Sequence, residues 1–163
     1  MNVHRAHHRS PPAVALTHTL RTGGIVINRK KEIILVSNQG KTWTFPKGHI
    51  NRGETTLEGA KREIIEETGV RKLKCHAYLG WYHRRGNLDP SEEKTIHLFL
   101  FSTTQKSLKP QDKDNPFAGW YTIPAALHQL TSLKDKAMLR KVRKLIPTLL
   151  KHTYHPMKSE IIR

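Results

Sequence analysis

"GHINRGETTLEGAKREIIEETGV", residues 48–70, holds five of the thirteen carboxylates of a chain that carries 29 Lys and Arg and a formal net charge of +16. Three of them, Glu63, Glu66 and Glu67, fall within five positions. The stretch reads as a helix over about 56–68 with its own start and stop. Thr55 followed by Glu58 is a capping box, each side chain closing a free amide of the other. Gly69 is the left-handed residue expected just past the last turn. At about 100° per residue, Leu57, Ala60, Ile64 and Ile65 share one side of this helix. Glu63, Glu66 and Glu67 share the other, at spacing i, i+3, i+4, within one turn of each other. On a bare helix each such pair is unfavourable by roughly 0.2–0.5 kcal/mol. The macrodipole adds a further penalty near the C-terminal end. A solvated acidic face is one reading. A hard divalent cation is the other: Mg²⁺ takes a few carboxylates together with water and substrate phosphate, which turns repulsion into coordination.

Outward from the helix, strands are predicted on both sides. "AVALTHTL", "GGIVINR" and "EIILVSNQ" precede it, with "NRKK" as a hairpin. "KTWTFPKG" alternates before breaking at Pro46-Lys47-Gly48. "KCHAYLGWYH", "KTIHLFLFST" and "AGWYTI" follow, joined by the polar loops "RRGNLDPSEE" and "KSLKPQDKDNPF". "PAALHQL" starts a short helix with Pro in its first turn. "SLKDKAMLRKVRKLIPTLLK" is a longer one, with Leu133, Ala137, Met138, Val142, Leu145, Ile146 and Leu149 on one face and Pro147 kinking or ending it. Strands mixed with helices predict an α/β layer sandwich.

The rest of the chain sets limits. A chain of 163 residues with 36% hydrophobic and 26% charged residues suits one globular domain. We place that domain at 13–150, between a flexible basic tail at 1–12 and a C-terminal tail at 151–163. Residues 1–12 hold Pro, His and Arg and little to bury. No acid precedes Glu32, as in organelle presequences, but the segment is poor in serine and lacks the apolar core of a signal peptide. "GIVI" and "IILV" are too short to span a bilayer. No membrane partner is expected, and the cytoplasm is the expected location. The single cysteine, Cys75, excludes an internal disulfide and a cysteine-based zinc site, and it reads as a packing residue. The basic surface attracts polyanions: nucleotide phosphates, RNA or polyphosphate.

The opening stretch resembles a known pattern in full. A Gly, five residues, Glu, seven residues, Arg-Glu, an aliphatic, any residue, Glu-Glu, any residue, Gly and an aliphatic make up the Nudix box. Gly48, Glu54, Arg62, Glu63, Ile64, Glu66, Glu67, Gly69 and Val70 satisfy every position. The chain resembles the Nudix hydrolases from about residue 20 to 145. That resemblance implies an α/β/α sandwich with a mixed sheet, and cleavage of a pyrophosphate bond by water. It implies that Glu63, Glu66 and Glu67 bind Mg²⁺ or Mn²⁺, joined by the carbonyl of Gly48, and that Arg62 and Glu54 pair. The general base is Glu66 or Glu67 in some members and a later carboxylate in others, for which Glu92 and Glu93 are the candidates here.

"TWTFPKGHI" and "EKTIHLFLF" are similar to the branch that cleaves diadenosine polyphosphates. That likeness implies phosphate contacts from Lys47 and a basic residue near Lys94, a base stacked on Tyr82, and help from His97 or His83; Arg84 is a further candidate substrate contact. The implied substrate is a nucleoside or dinucleoside polyphosphate such as diadenosine tetraphosphate. The high basic charge also suits RNA 5′ ends or inositol pyrophosphates. A Nudix-fold module that binds nucleotide or RNA without cleaving it is the non-enzymatic alternative. No oligomeric state is implied.

Overall fold

The computed structural model describes residues 15–86 and 89–156. The expected tail at 1–12, and residues 157–163 of the expected C-terminal tail, lie outside the described residues. In chain order the elements are β1 (Thr17–Ile27), β2 (Glu32–Asn38), β3 (Thr42–Thr44), β4 (Lys47–His49), α1 (Thr56–Thr68), β5 (Lys74–Arg85), β6 (Glu92–Ser102), β7 (Phe117–Thr122), α2 (Ile123–Gln129), α3 (Leu133–Val142) and α4 (Ile146–Leu149).

The sheet is mixed, as expected. β1 and β6 run parallel, with Thr17 opposite Glu92 and Ile27 opposite Ser102, and the other strand pairings among the described residues are antiparallel. The central strands are apolar without alternation because both of their faces are covered. Ile25, Ile27, Ile33, Leu35, Ile96, Leu98 and Leu100 face a core closed by Ala126, Leu139, Val142 and Ile146 of the C-terminal helices. Val26, Ile34, Val36, Phe99 and Phe101 face the other way, against Leu57, Ala60 and Ile64 of α1. Helix, sheet and helix therefore form three layers. Cys75 is buried in the second core, and burial pushes its thiol up to about 11, which fits packing rather than nucleophilic chemistry. Tyr154 packs on that core and donates its amide to Cys75, so the chain just beyond Leu150 is held against the domain.

The segments read as two early strands are one continuous β1. The hairpin after it is set by Asn28, whose side-chain oxygen accepts from the amides of Lys30 and Glu32 at 2.9 and 3.0 Å. The predicted helix after Ser132 is not continuous. α3 ends at Val142 and a separate turn, α4, starts at Ile146 with Pro147 in its first turn. Its buried face is Asp135, Met138, Leu139 and Val142, whereas Leu133 is 79% and Leu145 51% exposed. Met138, Val142, Ile146 and Leu149 of the predicted face do pack on the core, whereas Leu133, Ala137 and Leu145 are exposed and Asp135 and Leu139 are buried in their stead.

One feature of the sheet makes the site. β1 meets β2 where Ile27 faces Ile33. Near its start β1 pairs instead with β4, Arg21 opposite His49, while the far end of β2 pairs with β3, Asn38 opposite Thr42. The sheet splits, and β3 and β4 border the opening.

Candidate active site

α1 begins and ends as its sequence dictates. Thr55 and Glu58 form the capping box, and Gly69 closes the helix at φ 75°. Arg62 then ties the loop before the helix to the helix itself. Its Nε and Nη2 donate to the two oxygens of Glu54 at 2.6 and 3.0 Å, and Nη2 also donates to the carbonyl of His49 at 2.8 Å. Glu54 in turn accepts from the amide of Asn51 at 2.8 Å. The Arg62 bonds hold the Glu54 carboxyl below its ordinary value. Planar, bidentate contacts of this kind fix direction as well as distance.

The three clustered glutamates are placed differently. Glu67 is 4% exposed; its oxygens accept from the amide of Lys47 at 2.9 Å and from Asn115 Nδ2 at 3.0 Å. Burial pushes its pKa up to about 8, against the opposing pull of Lys47, and the charges of Glu63 and Asp112 push the same way. The Glu63 carboxylate lies directly on Gly48, where any Cβ would collide with it, and Arg62 Nη1 donates to it at 2.7 Å. Burial raises its pKa as well. Glu66 is the most exposed of the three, with Arg62 Nη1 at 3.3 Å. Among the described residues no three His, Cys, Asp or Glu side chains enclose a metal by themselves.

A cleft of about 590 Å³ opens beside this group. Glu67, Lys47 and Asn115 line it on one side, and Arg21, Arg84, Lys94, Ile96 and Glu92 on another. Lys47 and Lys94, the expected phosphate contacts, thus share one cavity with Arg84, the further substrate-contact candidate. Glu92 lies between two cations there, with Arg21 at 3.6 Å and Lys94 at 3.2 Å. It is a strand residue, not a loop charge, and its oxygens are engaged. Glu93, on the opposite face of β6, pairs with His18 at 3.5 Å.

Two expected substrate contacts are elsewhere. Tyr82 packs on the core and donates its hydroxyl to the buried Asp135. It does not line the cleft. His97 faces away from it, with Tyr78 stacked beside it and the Tyr78 hydroxyl 2.8 Å from Nδ1. His83 shares that face and meets Thr95 Oγ1 at 3.1 Å. Strand alternation explains both histidines: they have the opposite parity from Lys94 and Ile96 across the pleat.

A family model for the NUDIX domain matches residues 17–144. The chain belongs to the Nudix family. It is 37% identical over 122 residues to a Bacillus subtilis protein named as a candidate 8-oxo-dGTP diphosphatase, covering 69% of this chain and 78% of that one. A Mycobacterium tuberculosis protein named as a candidate mutator protein, MutT4, is 28% identical over 159 residues, which cover 89% of this chain. The chain spans 62% of the length of that mycobacterial relative. Among solved structures, a C. elegans Ap4A hydrolase superposes with a TM-score of 0.70 at 19% identity, over 80% of this chain and 98% of that one, a likeness of fold.

The Nudix box here fits a divalent cation on chemical grounds. Glu63 and Glu67 are pushed up by burial first and by neighbouring carboxylates second, despite Arg62 and Lys47, and a bound cation would favour their charged forms. A cation that keeps waters and takes substrate oxygens needs no closed protein cage. Three residues outside the box were missed from the sequence. Asp112 stands close enough for its charge to act on Glu63 and Glu67, and Asn115 bridges it to Glu67. Arg21 lines the cleft with its buried Nε unmatched by an acceptor. None carries a local signal: each is brought in by the loop after β6 or by the split of the sheet.

Proposed function

We propose that the protein is a Mg²⁺- or Mn²⁺-dependent pyrophosphohydrolase that cleaves a phosphoanhydride bond of nucleoside or dinucleoside polyphosphates by attack of water. Diadenosine tetraphosphate-like compounds are the leading substrates. The observation that carries this reading is the cleft in which Glu67 borders walls bearing Arg21, Lys41, Lys47, Arg84 and Lys94. Cations ring the space where a polyphosphate would lie, and carboxylates stand at its edge.

Glu63, Glu66, Glu67 and the carbonyl of Gly48 would hold the cation. When bound, it supplies charge neutralisation to the diphosphate and Lewis-acid activation to water. The side chains do the rest. Glu67 has both oxygens engaged, by the Lys47 amide and by Asn115, so its carboxyl group is fixed in place. Glu66 is exposed and accepts one long bond, which leaves it placed to take the proton of the attacking water. Arg62 holds the loop and helix in register. Arg21, Lys94 and Arg84 orient the phosphates and offset their charge, which is the main demand of phosphoryl transfer.

The names of relatives fit this class, since 8-oxo-dGTP and Ap4A are both nucleoside polyphosphates. A second reading, capped or triphosphorylated RNA ends or inositol pyrophosphates, is favoured by the net charge of +16. A binding-only module fits less well, because the box keeps every carboxylate. No helix among the described residues is long and apolar enough to cross a membrane, and a cytoplasmic setting suits nucleotide substrates.

The test is turnover in ¹⁸O water with Mg²⁺, across diadenosine polyphosphates, nucleoside triphosphates, ADP-ribose and triphosphorylated RNA. Label in one phosphate product of a dinucleoside or nucleoside polyphosphate is expected. Turnover of RNA alone, with a steep loss in salt, would favour the second reading.

A further inference from the structure

Behind the cleft wall lies a buried polar group that the reaction does not explain. Asp135 is 0% exposed and sits on the core face of α3. It receives the Tyr82 hydroxyl from β5, the Thr44 hydroxyl from β3 at 2.8 Å, and the Lys47 ammonium from β4 at 3.5 Å. Its place is fixed. The amide of Asp135 donates to the capping Ser132 hydroxyl at 3.3 Å. The preceding turn is stitched to β3, with the Thr131 amide donating to the carbonyl of Trp43 at 3.1 Å.

Stability alone gives no reason for a carboxylate here. A buried ion pair replaced by well-packed apolar residues is often neutral or more stable. What Asp135 does provide is direction. The Lys47 ammonium has three N–H donors. The carbonyl of Phe45 accepts one of them at 3.4 Å and Asp135 pairs with the charge at 3.5 Å, while the side chain lines the cleft. An N–H remains for a ligand.

We propose that Asp135 is a positioning residue: it holds the Lys47 ammonium at the cleft wall, where that ammonium meets a substrate phosphate. This rests on the hydrolase reading above. Lys47 then contributes to binding in the ground state and the transition state alike, so disturbing it moves KM more than kcat. The alternative is that Asp135 merely props β4. The Lys47 amide holds Glu67, so a propping role would lower kcat at unchanged KM.

Asp135→Asn, which keeps the shape and removes the charge, is compared with wild type in steady-state hydrolysis of the preferred substrate. KM is expected to rise about tenfold, the size of one charge-assisted hydrogen bond displaced, with kcat kept. A fall in kcat at constant KM, or no kinetic change beside a lower Tm, would overturn the proposal. In a Lys47→Met background, adding Asp135→Asn is expected to leave KM as it was. A further rise would contradict action through Lys47. That pair also carries the test if Asp135→Asn alone does not fold, since removing both members leaves no unpaired charge. A readout independent of turnover separates this proposal from the hydrolase reading. Acylation of Lys47 by an amine-reactive ester, followed by mass spectrometry with Lys41 as internal reference, is expected to speed up severalfold in Asp135→Asn. An unchanged ratio would show that Asp135 does not hold the ammonium, whether or not the protein hydrolyses anything.

Discussion

Two ion pairs flank β4, and they are built in opposite ways. Arg62 and Glu54 meet within the Nudix box through a two-pronged contact at 2.6 and 3.0 Å, with side chains 26% and 20% exposed. Lys47 and Asp135 come from distant parts of the chain, meet at 3.5 Å, and are 7% and 0% exposed. The first is short, planar and about a quarter exposed to water. The second is long, buried and dependent on two hydroxyls for the rest of its solvation. Geometry and energy therefore divide between them. A surface-facing pair adds little stability but can fix a backbone precisely enough for catalysis. A buried pair is costly to break because the survivor is stranded. Their effects should cross, with one dominating the rate and the other dominating the fold.

The largest effect expected is on stability. Asp135→Ala leaves the Lys47 ammonium buried without its partner and is expected to cost about 3–5 kcal/mol in urea unfolding. A loss under about 1 kcal/mol would mean that the pair is not desolvated as described. Next is Arg62→Lys, which keeps the charge and loses the fork. We expect kcat to fall about 100-fold with KM within a few-fold, because Gly48 and Glu63 lose their register. Stability should change little. If the two variants exchange these signatures, the division above is wrong.

A smaller effect isolates the hydroxyls. Tyr82→Phe removes one donor to Asp135 and is expected to cost about 1 kcal/mol, read as a lower Tm. The smallest depends on pH. Arg62 holds the Glu54 carboxyl below its ordinary 4.5. A depressed carboxyl adds stability above its unfolded pKa, and that stability is lost as pH falls through the folded value. The Tm gap between wild type and Glu54→Gln should therefore be full above the ordinary carboxyl value of 4.5 and shrink as pH falls below it, through the depressed folded value. A gap that widens in acid would contradict the pairing.

The same contrast explains what the sequence could say. The capping box and Gly69 are local, so spacing placed them, and the Arg62–Glu54 pair was implied by the resemblance to the Nudix box. "GIVI" and "IILV" were legible as strands too, and the structure shows that both of their faces are covered. Asp135 was not legible as a partner of Lys47, since nothing local links α3 to β4. Its neighbours misled for the same reason. Leu133 and Leu145 were read as core, yet they are exposed, and the face that includes Asp135 and Leu139 is buried. Tyr82 was given to a nucleobase, but its hydroxyl serves Asp135. Glu92 was offered as a base, but Arg21 and Lys94 neutralise it, and Asp112 is the carboxylate that reaches the cluster.

The central claim is that the carboxylate cluster of α1, which reaches this cleft through Glu67, supports hydrolysis of a phosphoanhydride bond. Its most direct test is Mg²⁺-dependent product formation by wild type and Glu67→Gln, measured side by side on diadenosine tetraphosphate and a nucleoside triphosphate. The account predicts turnover by wild type that chelation abolishes, and a loss on the order of 10³-fold in the folded variant. Equal rates in the two proteins would contradict it.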